Sequence, residues 1–413
     1  MREMRDSGFG YIGQIPQAWS IGKLKQFFEK SNVTNHPDDT VLSLYRDYGV
    51  IPKDSRDDNH NVTSLDTSKY KHVDVGDFVI NKMKGWQGSM ALSPYEGIVS
   101  PAYHVFKFRS SELYPKYAHY LLRCRSFADE WRRLSTGLRV GQWDLHVEDF
   151  LNTCIPHPPL DEQRRIADYL DARCADIDAA IGAAEKSIDE YKTYRQAIIY
   201  EAITGKVGNN DLVASGISWI ALLPRNWSVV SVGDLFSCRA EKVSDEDYPP
   251  LSVTKLGVLP QLATAAKSDD HANRKLLRKG DFAINSRSDR RNSCGFAPMD
   301  GSVSLINTVC VPRVEMESRY FGYLFKTPQW ADEFYSWGHG IVADLWTTSW
   351  NEMKKIILPQ PPLDEQKHIA DYLDAKCAEM EQVIAAKQSI IDDLKAYKQS
   401  LIYEVVTGKR EAS

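Results

Sequence analysis

The strongest constraint in this sequence is a stretch that occurs twice. Residues 158–206 read PPLDEQRRIADYLDARCADIDAAIGAAEKSIDEYKTYRQAIIYEAITGK, and residues 361–409 read PPLDEQKHIADYLDAKCAEMEQVIAAKQSIIDDLKAYKQSLIYEVVTGK. The copies are offset by 203 residues without a gap, and more than half of their positions are identical. Neither copy has a proline after its opening dipeptide, and each ends in Thr-Gly-Lys. Each therefore reads as one helix, opened by proline and acid and stopped by glycine.

Within the first copy Leu170, Ile177, Ile181 and Ile188 belong to an apolar series that steps by four and three alternately; Leu373, Met380, Ile384 and Ile391 hold the same places in the second. That is a heptad seam, and a helix of about 45 residues, roughly 65 Å long, cannot bury it alone. The nearest partner is the other copy. The expectation is an antiparallel intramolecular pair with Ile177, Ile181 and Ile188 set against Met380, Ile384 and Ile391. Arg195, Lys387 and Lys398 interrupt the seam, either to fix its register or to face another protein.

The segments between the helices repeat more loosely. YIGQIPQAWSIGKLKQFF at 11–28 aligns with WIALLPRNWSVVSVGDLF at 219–236, and GDFVIN at 76–81 with GDFAIN at 280–285, where a Gly-Asp turn opens a short buried strand. Strands are expected at 103–108 and 304–311, and one helix in each segment at 116–134 and 318–337. The fold class is α+β: two tandem globular domains, each followed by a long helix, the helices forming an antiparallel coiled coil. The divisions fall at 1–156, 157–207, 208–359 and 360–413.

Composition narrows the class further. A hydrophobic content of 43% with 11% aromatic residues marks a globular chain. No apolar run approaches membrane-spanning length, and the N-terminus lacks an apolar signal region. Seven scattered cysteines without a Cys-x-x-Cys pair point to reduced thiols and a cytoplasmic protein. The net charge of −5 sits in the helices, each with 7 basic and 10 acidic residues. The domains are balanced, at 20 basic against 19 acidic and 17 against 17, so any DNA contact needs local basic clusters or a partner's help.

Together with GIVSPAYHVF at 97–106, GLRVGQWDLHV at 137–147 and the duplicated PPLDEQ helix starts, this organisation resembles the specificity subunits of type I restriction–modification systems over essentially the whole chain. The resemblance implies target recognition domains, each reading one half of a split double-stranded DNA site. It implies a helical spacer that docks methyltransferase subunits, two in number, and restriction/translocase subunits in the same complex. S-adenosylmethionine, ATP and Mg would then serve those partners, with no cofactor bound by this chain. A rival reading is a scaffold whose two domains bind proteins, favoured by their neutral charge.

The motifs of catalysis are missing. There is no Gly-x4-Gly-Lys-Ser/Thr loop, no Asn/Asp-Pro-Pro-Tyr/Phe tetrapeptide and no clustered histidine spacing for a metal. The chain is expected to be a non-enzyme without a metal. Candidate DNA-binding residues lie in two loops after the Gly-Asp strands: Lys82, Lys84, Trp86, Gln87 and Ser89 in the first domain, and Asn285, Arg287, Arg290, Arg291 and Asn292 in the second. Lysine and arginine match guanine edges and phosphates, and amides match adenine; the plainer reading is a pair of solvated turns with Trp86 in the core. Arg139, Gln142 and His339, in glycine-flanked stretches before the spacer helices, are further candidates beside a purely structural loop. Arg123, Arg125, Arg132 and Arg133, and Arg274, Lys275, Arg278 and Lys279, suit phosphate contact or surface salt bridges equally well.

Overall fold

The computed structural model describes residues 2–46, 48–56, 63–137, 143–208, 211–261, 273–340 and 346–413. Two uninterrupted helices, Leu160–Ile203 and Leu363–Val406, occupy the duplicated stretches, at 44 residues each. The chain divides into two compact units, residues 1–185 with 388–413, and residues 186–387. Each unit therefore holds one globular domain and a portion of both helices, a partition that cuts across the order of segments along the sequence.

In the first unit a four-stranded antiparallel sheet runs Phe28–Ser31, Tyr103–Phe108, Phe78–Asn81, Met90–Leu92. The second unit repeats it as Phe236–Arg239, Asn307–Pro312, Phe282–Asn285, Cys294–Phe296. The middle strands read as continuous apolar runs because both of their faces are covered. Phe78, Val79 and Ile80 are buried, as are Phe282, Ala283 and Ile284. The Gly-Asp turns form as expected. Gly76 and Gly280 have φ of 94° and 87°, and the buried Asp77 and Asp281 carboxylates accept the Asp74 and Arg278 N–H groups at 3.0 and 2.8 Å. A further ladder closes each domain. The strand before the long helix, Cys154–His157 or Ile357–Gln360, pairs with Ser20–Lys23 or Ser228–Ser231 near the domain's start.

The single helix expected in each domain is two. Pro115–Arg123 and Arg125–Leu134 break at Cys124, whose ψ of 156° is extended. Ser318–Leu324 and Pro328–Ser336 break at Pro328, which starts a new helix capped by the Thr327 hydroxyl. Proline forbids the bond that would have continued the first helix. The second domain's strand also begins later than 304, because Gly301–Ser304 pairs with Arg274–Leu277 instead.

The duplicated Gln of PPLDEQ binds each long helix to its own domain. Gln163, fully buried, accepts the Tyr114 N–H at 2.7 Å and donates to the Pro158 carbonyl at 2.9 Å. Gln366 accepts from Glu317 at 2.9 Å and donates to Pro361 at 2.9 Å. The far end of each helix belongs to the other domain. In the first unit, Gly408 at the end of the second helix packs on Pro16 and Trp19, and the buried Tyr117 hydroxyl donates to the Val406 carbonyl at 3.0 Å. In the second, Gly205 packs on Pro224 and Trp227, and the Tyr320 hydroxyl donates to Ile203 at 3.0 Å. Both tyrosines satisfy a helix-end carbonyl that would otherwise lack a partner.

The helices are antiparallel in both units, and the seam residues are the ones covered. Leu170, Ile177, Ile181 and Ile188 are buried, as are Leu373, Met380 and Ile391, while Ile384 is half-buried. Their pairing differs from expectation. The ion pairs Asp178–Lys398 (2.6 Å) and Glu185–Lys395 (3.7 Å) flank Ile181 and lie next to Ile177, setting this part of the first helix against residues 395–398 in the first unit, whereas Met380 and Ile384 lie in the second. Antiparallel packing sends equivalent positions to opposite ends. The interruptions in the seam pair between the helices: Lys398 with Asp178, Arg195 with Glu381 at 3.3 Å, and Lys387 over the Tyr191 ring at 5.8 Å.

Candidate nucleic-acid interface

The two candidate loops have one construction. Each leaves its buried strand through an asparagine whose side-chain oxygen accepts a backbone N–H two residues on: Asn81 from Met83 at 3.1 Å, Asn285 from Arg287 at 3.0 Å. A short 3-10 turn follows, Gly85–Gln87 or Ser288–Arg290. A residue with positive φ then returns the chain, Gly88 at 77° and Asn292 at 60°. Finally the same asparagines donate their N–H groups to the Ser89 and Ser293 carbonyls, at 3.0 and 2.9 Å.

Each loop is then laced to the stretch before its long helix. Leu145 N–H donates to the Lys82 carbonyl at 3.1 Å, and Thr348 N–H to the Ser286 carbonyl at 3.0 Å. Bridges join Thr136 to Asp144 in the first unit and Thr347 to both His339 and Arg287 in the second. Stretches chosen separately in the sequence thus come together as one composite edge per unit, with His339 and Arg287 flanking Thr347. Arg139 and Gln142 lie outside the described residues.

The side chains divide by what they touch. In the first unit Lys84 and Gln87 are exposed, and Lys82 lies 3.7 Å from Asp144 with both partly exposed. Trp86 is half-buried rather than in the core. Its indole donates to the Met83 carbonyl at 3.1 Å, and its ring lies 5.2 Å from that of Trp143, which Arg132 covers at 6.0 Å. Ser89 points inward at 4% exposure and leaves the set of residues able to meet DNA. In the second unit Arg290 and His339 are exposed and Arg287 is half-buried. Arg291 is engaged locally, paired with Asp332 and lying over the Tyr335 ring at 5.5 Å. Asn285 and Asn292 are turn residues: the first holds the loop's entry, and the second donates its amide to the Lys326 carbonyl at 3.0 Å. Each turn thus uses one end of its asparagine's amide, the Asn285 oxygen and the Asn292 nitrogen.

The remaining arginines sort in the same way. Arg133 pairs with Glu130 one turn back at 2.7 Å, and Arg123 lies 2.7 Å from the His119 ring. Arg274 is buried, donating to the Ser302 hydroxyl and carbonyl at 2.8 and 3.0 Å, and burial pulls its pKa down. Arg125, Arg278 and Lys279 stay exposed.

Of two equivalent lysines, Lys275 stands among the residues suited to phosphate contact, whereas Lys71 was not legible as a candidate. Lys71 donates to the Tyr103 carbonyl, and Lys275, its counterpart, to the Asn307 carbonyl at 2.7 Å. Burial and the nearby Lys30 and Lys82 ammonium groups lower the pKa of Lys71. Burial, with Lys71, Lys30 and Lys82 around it, holds His104 down at about 4, so that ring is neutral near pH 7. The first unit therefore gathers positive potential where its loop begins, in a domain whose total charge is close to zero.

Comparisons with known proteins bear on this geometry. Residues 16–184 match the family model described as the type I restriction modification DNA specificity domain. A protein of Methanocaldococcus jannaschii named as the type I restriction enzyme MjaX specificity subunit is 22% identical over 411 residues, which cover 92% of this chain and 93% of that one. The EcoBI specificity subunit of Escherichia coli is 29% identical over 91 residues, covering 21% of this chain and 19% of its own length. Among solved structures, a chain from a study of complex assembly and conformational transition of the type I R-M system superposes with a TM-score of 0.71 at 17% identity, covering 96% of this chain and 99% of that one. The HsdS subunit from Thermoanaerobacter tengcongensis gives a TM-score of 0.54 at 17% identity, over 98% of this chain and 100% of that chain. The structural likenesses establish the fold.

Proposed function

We propose, for a chain that carries a type I DNA specificity domain and is built throughout like a specificity subunit, that each unit reads one half of a split double-stranded DNA site. The observation that carries this reading is the repeated edge: two loops of equal construction, laced to the same following stretch and basic in both units. Exposed Lys84, Gln87, Arg290 and His339, with Lys82 and Arg287, are the side chains left to meet bases and phosphates. Phosphate contacts position the duplex and groove-edge contacts carry sequence. The long helices set the distance between half-sites, and they leave Tyr194, Ile390 and Tyr397 exposed outside the seam as apolar contacts for methyltransferase subunits. Methyl transfer and cleavage belong to partner subunits that bind S-adenosylmethionine, ATP and Mg, and the complex works in the cytoplasm. No helix among the described residues is long and apolar enough to cross a membrane.

Two measurements test this. Exchanging residues 1–156 for the equivalent domain of a relative with a different target should change one half of the methylated motif and leave the other intact; a change in both halves would refute the division of labour. Alanine at Arg287 and at Arg290 should then be compared with alanine at Arg291 in the assembled methyltransferase, on cognate and single-mismatch duplexes at two salt concentrations. A lost guanine contact costs about 1–3 kcal/mol and relaxes one position, whereas a lost phosphate contact weakens all sequences and lowers the salt slope by about one unit. We expect one of these effects at Arg287 or Arg290 and a smaller one at Arg291, whose guanidinium is already held by Asp332. Binding to DNA without salt dependence would favour the protein-scaffold reading instead.

A further inference from the structure

We propose that the first unit binds one transition-metal ion of the zinc class between His36, Asp39 and His72. The three residues are scattered in sequence and meet because the turn holding His36 and Asp39 folds onto the strand Lys71–Val73. His72 Nδ1 lies 2.9 Å from Asp39 Oδ2, and His36 Nδ1 lies 3.4 Å from the same oxygen. The two imidazoles are nearly parallel, with centroids 4.3 Å apart, and the three ligating atoms all fall within 4.8 Å of one another. Around a tetrahedral zinc with bonds of about 2.0–2.2 Å, ligand atoms stand about 3.3 Å apart. Two imidazoles and a carboxylate suit zinc, cobalt or nickel rather than the oxygen-seeking calcium or magnesium.

What distinguishes this group from a chance meeting of polar side chains is the second partner of His72. Its Nε2 lies 3.2 Å from Asp74 Oδ1, and Asp74 is itself paired with Lys107. With a metal on Nδ1 the ring proton would stand on Nε2, where the Asp74 carboxylate is placed to accept it. This carboxylate–histidine relay is the arrangement that orients metal-bound imidazoles. The His72 side chain is 11% exposed and that of His36 is 41% exposed, so the ring with the relay is anchored and the other forms the mouth. The backbone prepares the turn. His72 N–H donates to the Val33 carbonyl at 2.8 Å and Asn35 N–H to Ser68 at 3.0 Å, while Asn35 adopts a φ of 70°.

The second unit supplies an internal control. The corresponding backbone bond is present, from Leu276 N–H to the Glu241 carbonyl at 3.0 Å, but a fully buried leucine stands where the first unit has His72. One ion per chain is therefore expected, and its effect should be confined to the first unit.

The test uses the full chain, stripped with a chelator and titrated with zinc by calorimetry and with cobalt by visible absorption. Expected are one equivalent bound, a cobalt spectrum without thiolate charge-transfer bands despite the seven free cysteines, and slower hydrogen exchange around 33–39 and 71–73 but not around 274–277. His36→Ala, a change on an exposed turn that should leave folding intact, should abolish binding. Asp74→Asn should weaken it ~10-fold or more. Absence of stoichiometric binding by the folded wild-type chain, or binding that survives His36→Ala, would overturn the proposal and leave the cluster as hydrogen-bonded charge. A thiolate spectrum would overturn it too, by placing the ion elsewhere.

Discussion

Replacing Gly408 with alanine should undock the end of the second long helix from the first domain, and Gly205→Ala should do the same in the second unit. Two costs coincide at each position. Both glycines hold a left-handed backbone, φ 74° and 67°, which a residue with a Cβ adopts at about 1–3 kcal/mol. The added Cβ would also lie 2.4 Å from the ring of Pro16 or Pro224 and 2.9 or 2.7 Å from Trp19 or Trp227. Neither proline nor a buried tryptophan yields readily, and overpacking of this sort adds about 1–3 kcal/mol. A reference change is available within the same helices. Gly182 is helical and has nothing within 4 Å of its would-be Cβ, so Gly182→Ala should be neutral or stabilising by up to about 1 kcal/mol. Thermal melts with hydrogen exchange resolve the outcome. Gly408→Ala should raise exchange at residues 14–19 and 404–408, and Gly205→Ala at residues 220–227 and 201–205. Melting temperatures equal to that of the Gly182 variant would show that these docking sites are loose.

An aspartate at Ile181 should cost roughly 3–5 kcal/mol, because the seam offers a buried carboxylate no cation and no water. Ile181 is 8% exposed, and the cations nearby are already taken, Lys398 by Asp178 and Lys395 by Glu185. Ile390→Asp is the matched control, an isoleucine on the other long helix at 52% exposure, where the same change should cost about 1 kcal/mol or less. A large gap between the two melting temperatures follows if the heptad seam is the buried face. Equal losses would mean that helix propensity, and not burial, governs both positions.

Much of this architecture was legible because it rests on local or periodic signals. The Gly-Asp turns could be read since a glycine with φ near 90° followed by an inward aspartate opens a strand in both domains. The seam could be read since period 3.5 marks a face. The breaks at Cys124 and Pro328 were harder. Thr327-Pro328 is a local start signal that the expected helix at 318–337 ran through, whereas at Cys124 no proline or glycine marks the break. The loops after the two buried strands could be placed, but neither their lacing to the stretch before each long helix nor the fate of their side chains was legible. Arg291 is held by Asp332, 41 residues away, and Asn292 by the Lys326 carbonyl. Basic composition alone does not separate a displayed arginine from an occupied one.

The sequence by itself determined that there are two similar domains, two long helices, one apolar stripe on each helix and a glycine stop at each end. Those features depend on residues within a few turns of one another, where propensity and periodicity act directly. The tertiary structure decided which surface each stripe and each helix end would meet. Antiparallel packing carries the end of one repeat's helix to the other repeat's domain, so Gly408 closes on Trp19 and Gly205 on Trp227. It also turned Lys71 and Lys275 onto equivalent carbonyls and gathered His36, Asp39 and His72 around one point. A hydrophobic pattern specifies that a face must be buried without naming its partner. That choice is made by shape, register and charge pairing between segments far apart in the chain.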